Sequence, residues 1–181
     1  MDSKDFILQI DDAFSENSCQ QIRNLFDGNR GKERVEQGGA PNFTQLNISQ
    51  HLPDLVEPVT NSVVSHLEQY EEKFEKFAAF FPEDICLEEF RIKCYDSAKR
   101  DRFDLHVDVG NHDTSVRVLA FLYYLNDDFT GGETIFPDHD LIVTPKTGSV
   151  IIFPPTWQYP HKGTPVRTGK KYILSTYLHY Y

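Results

Sequence analysis

The sequence predicts an α+β fold, mainly β, with N-terminal helices packed on one sheet of a double-stranded β-helix of the jelly-roll or cupin-like kind. Three observations point to it. Apolar residues recur at steps of three and four through residue 77, the helical period. From residue 85 onward they recur at steps of two, the strand period. Short turn signals break that second half into many brief strands, as in a sandwich or barrel. A length of 181 residues suits one domain. We read that domain as 1–181, with a helical layer at about 1–84 and a β-helix core at about 85–181.

Residues 6–10 read as a first strand. Ser15 is placed to cap a helix of about three turns, with Cys19, Ile22 and Leu25/Phe26 on its buried face. Residues 27–43 hold Gly28, Gly31, Gly38, Gly39 and Pro41 and read as a long loop, either a lid or an ordinary solvated segment. Pro58 fits the first turn of a second helix. Val59, Val63, Leu67, Tyr70, Phe74 and Phe77 then form one apolar stripe. Candidate strands follow at 86–95, 103–109, 116–125, 133–136, 141–144, 149–153 and 171–178. Gly131-Gly132, Pro137-Asp138 and Pro154-Pro155 are among the turns between them.

A formal net charge of −10 repels phosphate backbones and anionic lipid, so neither nucleic acid nor a membrane is an expected partner. No apolar run approaches a membrane span, and the polar start reads as no signal peptide. Cys19, Cys86 and Cys94 are odd in number and lack metal-type spacing. They read as reduced thiols of a cytoplasmic protein. Oligomeric state is not legible.

The residues that carry chemistry are His106, Asp108 and His161. In a strand, i and i+2 share a face, so the alternation of residues 105–109 puts His106 and Asp108 together and Leu105, Val107 and Val109 opposite. A distant histidine would complete the two-histidine, one-carboxylate set that suits Fe(II) with open positions, though such ligands also accept Mn(II) or Zn(II). His-x-acid alone is weak: with 7 histidines and 28 acidic residues, about one match arises by chance. A second match, His66-x-Glu68, lies on the long helix, where residues two apart point to nearly opposite sides, and is discarded. His51 and His112 read as loop residues, His139 as a solvated turn and His179 as surface or sheet edge. Lys171, Ile173, Ser175 and Tyr177 share one strand face. A lysine there is costly to bury without an anion, unless it sits at the strand's start and reaches water.

Several motifs in fixed order then carry a resemblance: Cys94-Tyr95, His106-Val107-Asp108, residues 117–126, Gly131-Gly132-Glu133-Thr134-Ile135-Phe136-Pro137, residues 145–154, residues 161–166 and Gly169-Lys170-Lys171-Tyr172-Ile173-Leu174. Together they resemble the 2-oxoglutarate/Fe(II)-dependent dioxygenases of the prolyl 4-hydroxylase type, over nearly the whole chain. The resemblance implies that His106, Asp108 and His161 are iron ligands and that Lys171 pairs with the distal carboxylate of 2-oxoglutarate. Tyr124 would donate a hydroxyl to that carboxylate, Tyr95 would lie near its iron-chelating end, and Ser175 would share the cosubstrate strand. It implies Fe(II), 2-oxoglutarate as cosubstrate and ascorbate as accessory reductant. The products would be succinate, CO2 and a hydroxylated peptidyl proline. Substrate contacts are expected from Arg102 in the charged 96–102 loop, from Trp157 and from Tyr177. Arg167 is a lower-ranked rival anion binder. It is the only arginine after Arg117, so the paired-arginine signature of nucleic-acid demethylases is absent. Two alternatives stay open: hydroxylation of another side chain or a small molecule, and a non-catalytic β-helix binding module.

Overall fold

The structure, a computed structural model, describes residues 6–36, 41–84 and 86–181. After β1 (Leu8–Ile10) the Ser15 hydroxyl accepts the Ser18 N–H at 3.1 Å, and α1 (Glu16–Gly28) begins. Cys19, Ile22 and Phe26 are buried along it. Leu25 is 43% exposed, because a 100° step turns it off the Ile22–Phe26 line.

The 27–43 segment is not a single long loop. β2 (Glu33–Glu36) and β3 (Asn42–Asn47) form an antiparallel pair. Residues 37–40, part of that expected loop, lie outside the described residues. α2 (Ile48–His51) follows under an Asn47 cap, so His51 is helical rather than a loop residue. α3 (Val56–Lys73) buries Val59, Val63, His66, Leu67 and Tyr70, and α4 (Glu75–Ala78) continues the layer. His66 faces the Tyr123 hydroxyl at 3.1 Å. That contact satisfies its buried ring and gives it no part in a metal set.

The remaining strands are β4 (Cys86–Leu87), β5 (Arg91–Asp96), β6 (Phe103–His106), β7 (Arg117–Tyr124), β8 (Thr130–Gly131), β9 (Thr134–Phe136), β10 (Leu141–Val143), β11 (Val150–Phe153), β12 (His161–Gly163), β13 (Val166–Thr168) and β14 (Lys170–His179). They build an eight-stranded sheet in the order β1-β11-β7-β14-β5-β3-β2, with β4 also on β14. A second sheet runs β10-β9-β12-β6, and β13 pairs with β8. The pairs are antiparallel throughout. Three strands of the large sheet come from before residue 84, so the chain does not divide there into helical and β layers.

The period-two pattern of the large sheet separates two cores. Ile92, Cys94, Phe121, Tyr123, Tyr172 and Leu174 face the helices and pack with Cys19, Phe26, Val63 and Leu67. Their neighbours Tyr95, Tyr124, Ile151 and Ile173 face the second sheet and pack with Phe136 and Val143. Polar side chains on this inner face are therefore enclosed between two sheets. Cys19, Cys86 and Cys94 are unbonded to one another. No described helix is long and apolar enough to cross a membrane.

Candidate active site

His106 closes β6 and His161 opens β12, and the two are paired residues across that antiparallel ladder. Asp108 lies beyond the strand. The alternation that predicted a strand through residue 109 fails after His106, and Leu105 is 58% exposed. Instead the Asp108 and Val109 N–H groups both donate to the Pro155 carbonyl at 3.1 Å, and Arg117 Nη1 donates to the Asp108 carbonyl at 2.7 Å. These bonds turn the Asp108 side chain back to the histidines. One ligand atom from each of the three residues lies within 4.8 Å of the others. His106 Nε2 is 3.4 Å and His161 Nε2 3.6 Å from the Asp108 carboxylate oxygens.

The outer ring nitrogens fix the inner ones. His106 Nδ1 donates to the Asp104 carbonyl at 2.8 Å, and His161 Nδ1 to the Tyr159 carbonyl at 3.1 Å. Each Nε2 is thereby left with its lone pair inward, the tautomer a metal needs. Phe103 stacks on His106 with centroids 3.5 Å apart, and Phe136 and Phe153 wall His161. Burial pushes the Asp108 carboxyl up, but the His106 and His161 rings in their protonated form and the ammonium of Lys93 outweigh it and hold it at about 2; a bound cation would take the place of the ring protons. Burial also pulls His161 down, toward the neutral form that can ligate a metal. Ligand atoms about 2.1 Å from an octahedral ion stand about 3 Å apart, so the two histidine–carboxylate spacings suit a small divalent cation after slight contraction.

Lys171 shares the cavity with the triad. It is 4% exposed, and its ammonium donates to the Gly132 carbonyl at 2.6 Å. Gly132 has φ +72°, and a Cβ there would press on Phe129 and on the Lys171 stem. Only glycine lets the backbone carbonyl come so close. The Tyr124 and Tyr95 rings flank the ammonium at 5.1 and 5.7 Å. Burial lowers the Lys171 ammonium to about 7, opposed by the Glu133 charge. Among the described residues no carboxylate stands at ion-pair distance from it. The cation is thus enclosed, oriented and lacking an anion, and it does not reach bulk water from a strand start.

Tyr95 and Ser175 line the same cavity, and Tyr124 does not. Tyr124 is fully buried and donates its hydroxyl to Thr134 Oγ1 at 2.8 Å; it is Thr134 that faces the cavity. Tyr177 lines both this cavity and an open groove outside it. Burial and the Asp108 carboxylate keep it a neutral phenol. Arg102 and Trp157, expected to touch substrate, line neither space. Arg102 is turned onto Asp104 at 2.8 Å, and Trp157 projects into solvent, 76% exposed. Arg167 is exposed and outside the cavity. His139 donates to the Gln158 carbonyl at 2.9 Å and stacks on Tyr159. Sequence reasoning missed Thr134, Lys93 and Arg117 in the walls. Thr134 follows Gly131-Gly132 in the 131–137 motif, and Lys93 sits two residues from Tyr95 on one strand face, so these two had a local signal.

A comparison with known proteins agrees with this geometry. The sequence profile of the 2OG-Fe(II) oxygenase superfamily matches residues 90–179. A protein of Acanthamoeba polyphaga mimivirus that bears a provisional prolyl 4-hydroxylase name is 26% identical over 186 residues, 96% of this chain and 73% of its own length. The prolyl 4-hydroxylase subunit alpha-1 of Bos taurus is 28% identical over 92 residues, 47% of this chain but only 17% of that one. The viral collagen prolyl hydroxylase of Paramecium bursaria Chlorella virus-1, solved as a 2OG complex, superposes with a TM-score of 0.74 at 19% identity, over 97% of both chains. That likeness extends the shared fold beyond the profile match to the N-terminal helices and strands. With the donor set and the buried lysine in one cavity, these matches make the chain an Fe(II)- and 2-oxoglutarate-dependent dioxygenase: it belongs to the 2OG-Fe(II) oxygenase superfamily.

Proposed function

We propose that this enzyme hydroxylates a prolyl residue of a protein or peptide. In this reading His106 Nε2, Asp108 and His161 Nε2 hold the iron, and Lys171 takes the distal carboxylate of 2-oxoglutarate. The two facing sheets are the walls of a double-stranded β-helix, and 1–181 works as one domain. The carrying observation is the pairing, in one cavity, of an anchored facial donor set with a buried ammonium that has no anion. Bound there, iron would supply O2 activation, with 2-oxoglutarate as the electron donor: one oxygen atom would go into succinate as CO2 leaves, and the other into the hydroxyl group of the product.

The chain's own residues do the rest. The Asp104 and Tyr159 carbonyls orient the two imidazoles. Lys171 fixes the far end of the cosubstrate, and Thr134, aligned by Tyr124, offers a hydroxyl beside it. Phe103, Phe136 and Phe153 keep the cavity dry around the histidines. The prolyl target is supported by the names of the mimivirus and bovine relatives. The open groove beside the cavity favours a chain-like substrate over a small molecule.

Anaerobic addition of Fe(II) and then 2-oxoglutarate should produce a weak visible charge-transfer band. Air should then release succinate, and a proline-rich peptide should gain the mass of one oxygen. A protein that binds both yet never releases succinate would be a binding module. A peptide left unmodified while succinate accumulates would remove proline as the target.

A further inference from the structure

The groove outside the cavity is lined by three cations, Arg91, Lys93 and Arg117. Arg91 is paired with Glu89 at 3.0 Å and Arg117 with Glu88 at 2.6 Å. Lys93 has no such partner among the described residues. Its ammonium lies 5.4 Å from the Phe43 ring, and Asp108 and Glu88 act on it only through space.

Its place on β5 separates it from the cosubstrate lysine. Lys171 is paired across the sheet with Tyr95, and Lys93 with Ile173 on one side and Gln45 on the other. Lys93 is therefore two residues, about 6.6 Å, along the strand from Tyr95. Lys171 and Tyr95 line only the inner cavity; Lys93 lines both the cavity and the groove. It stands at the junction where a substrate leaves the groove to reach the metal.

Charge leads to the same position. A divalent iron and Lys171 together balance Asp108 and the two carboxylates of 2-oxoglutarate. Lys93 is left as the surplus cation of a half-buried wall, a situation that favours an incoming anion. Burial lowers its ammonium only to about 8, so it is charged at neutral pH.

We propose that Lys93 binds a carboxylate of the primary substrate, so that the enzyme selects an acidic peptide whose carboxylate lies within a residue or two of the hydroxylated carbon. This rests on the dioxygenase reading of the cavity. The carboxylate can come from an Asp or Glu side chain or from a free C-terminus, and the test keeps these apart.

The experiment measures binding of short proline peptides, without oxygen, to the protein loaded with Fe(II) and 2-oxoglutarate. One peptide carries Asp beside proline, one Asn, both with amidated ends, and a third ends in a free carboxylate after proline. Wild type should bind the Asp peptide or the free-ended peptide about tenfold more tightly than the Asn peptide, and whichever wins names the source. Lys93→Met should erase that difference and leave the 2-oxoglutarate dissociation constant within about twofold; Lys93→Arg should keep it. A wild type blind to peptide charge, or binding none of the three, overturns the proposal. So does a Lys93→Met protein that instead loses 2-oxoglutarate, which would assign Lys93 to the cosubstrate. Failure of the underlying reading looks different: the wild type would not take up Fe(II) and 2-oxoglutarate at all.

Discussion

His106 and His161 face each other as paired residues of β6 and β12, with ring centroids 4.3 Å apart. Each ring is tethered through Nδ1 to the carbonyl two residues upstream, Asp104 and Tyr159 respectively. Each histidine is thus oriented by the backbone just before it, and the ladder sets the spacing between the two rings. The carboxylate comes from outside that ladder, on a segment held by the Pro155 carbonyl.

That division predicts what loss of the carboxylate does. Asp108→Ala should lower Fe(II) affinity by more than about a hundredfold, since even outer-sphere changes reach that size. Succinate release should vanish. Circular dichroism should stay that of the parent, because the Asp108 backbone bonds persist. Retained iron affinity in this variant would remove Asp108 from the ligand set.

Lys171 sets a second expectation, with an unusual sign. Burial gives its ammonium a folded pKa of about 7 against an ordinary value of 10.5. Between those values the unfolded chain binds the proton and the folded chain does not, so folding without cosubstrate is penalised below the unfolded value. The penalty grows as pH falls and levels off below about 7. A bound carboxylate reverses the preference and holds the proton. The 2-oxoglutarate dissociation constant should therefore rise above pH 7, by up to about tenfold per pH unit. Lys171→Met should lose 2-oxoglutarate affinity while gaining thermal stability in the unliganded state, because an unpaired buried charge is gone. Calorimetric titration and melting curves across pH read both effects. A flat pH profile would mean that Lys171 is solvated.

Thr134 and Tyr124 divide one task. Thr134 faces the cavity, and Tyr124 holds it from behind. Thr134→Val should raise the 2-oxoglutarate KM by about tenfold with a small change in kcat, through loss of a charge-assisted hydrogen bond. Tyr124→Phe should cost less in KM and about 1 kcal/mol in stability. The reverse ranking would place the tyrosine hydroxyl itself on the cosubstrate.

How far the sequence could be read follows from what each signal depends on. The α3 stripe of Val59, Val63, Leu67 and Tyr70 is a local property, and those residues are buried. β14 was readable for the same reason: Lys171, Ile173 and Ser175 alternate with Tyr172 and Leu174 within one strand. β2 and β3 were missed because their evidence is non-local. Glu33-Arg34-Val35-Glu36 is charged, and Phe43 and Leu46 are buried on opposite faces of β3, which erases alternation. The partner of β3, β5, lies over forty residues away, and β2 joins the sheet only through β3. Asp108 was correctly grouped with His106 by a strand argument that does not hold beyond residue 106. The turn on Pro155 does the work that the pleat was expected to do.

The hairpin of β2 and β3 also bears on whether the 27–43 and 96–102 segments act as lids. Arg34 on β2 meets Asp101 in a two-pronged ion pair, Nη1 to Oδ2 at 2.8 Å and Nη2 to Oδ1 at 2.6 Å. Asp101 is fully buried and also accepts the Asp96 N–H at 3.0 Å. Asn42 N donates to the Arg102 carbonyl at 3.0 Å and extends the same contact. The described parts of the two segments are therefore pinned to each other. Arg34→Ala would leave a buried carboxylate without its cation and should destabilise the fold by about 3 kcal/mol. Urea unfolding of Arg34→Ala, Asp101→Asn and the double variant measures the coupling. The double variant should lose less than the two single losses combined, because the second change removes the stranded charge. Strictly additive losses would show that the pair is only a surface contact and that the segments move independently.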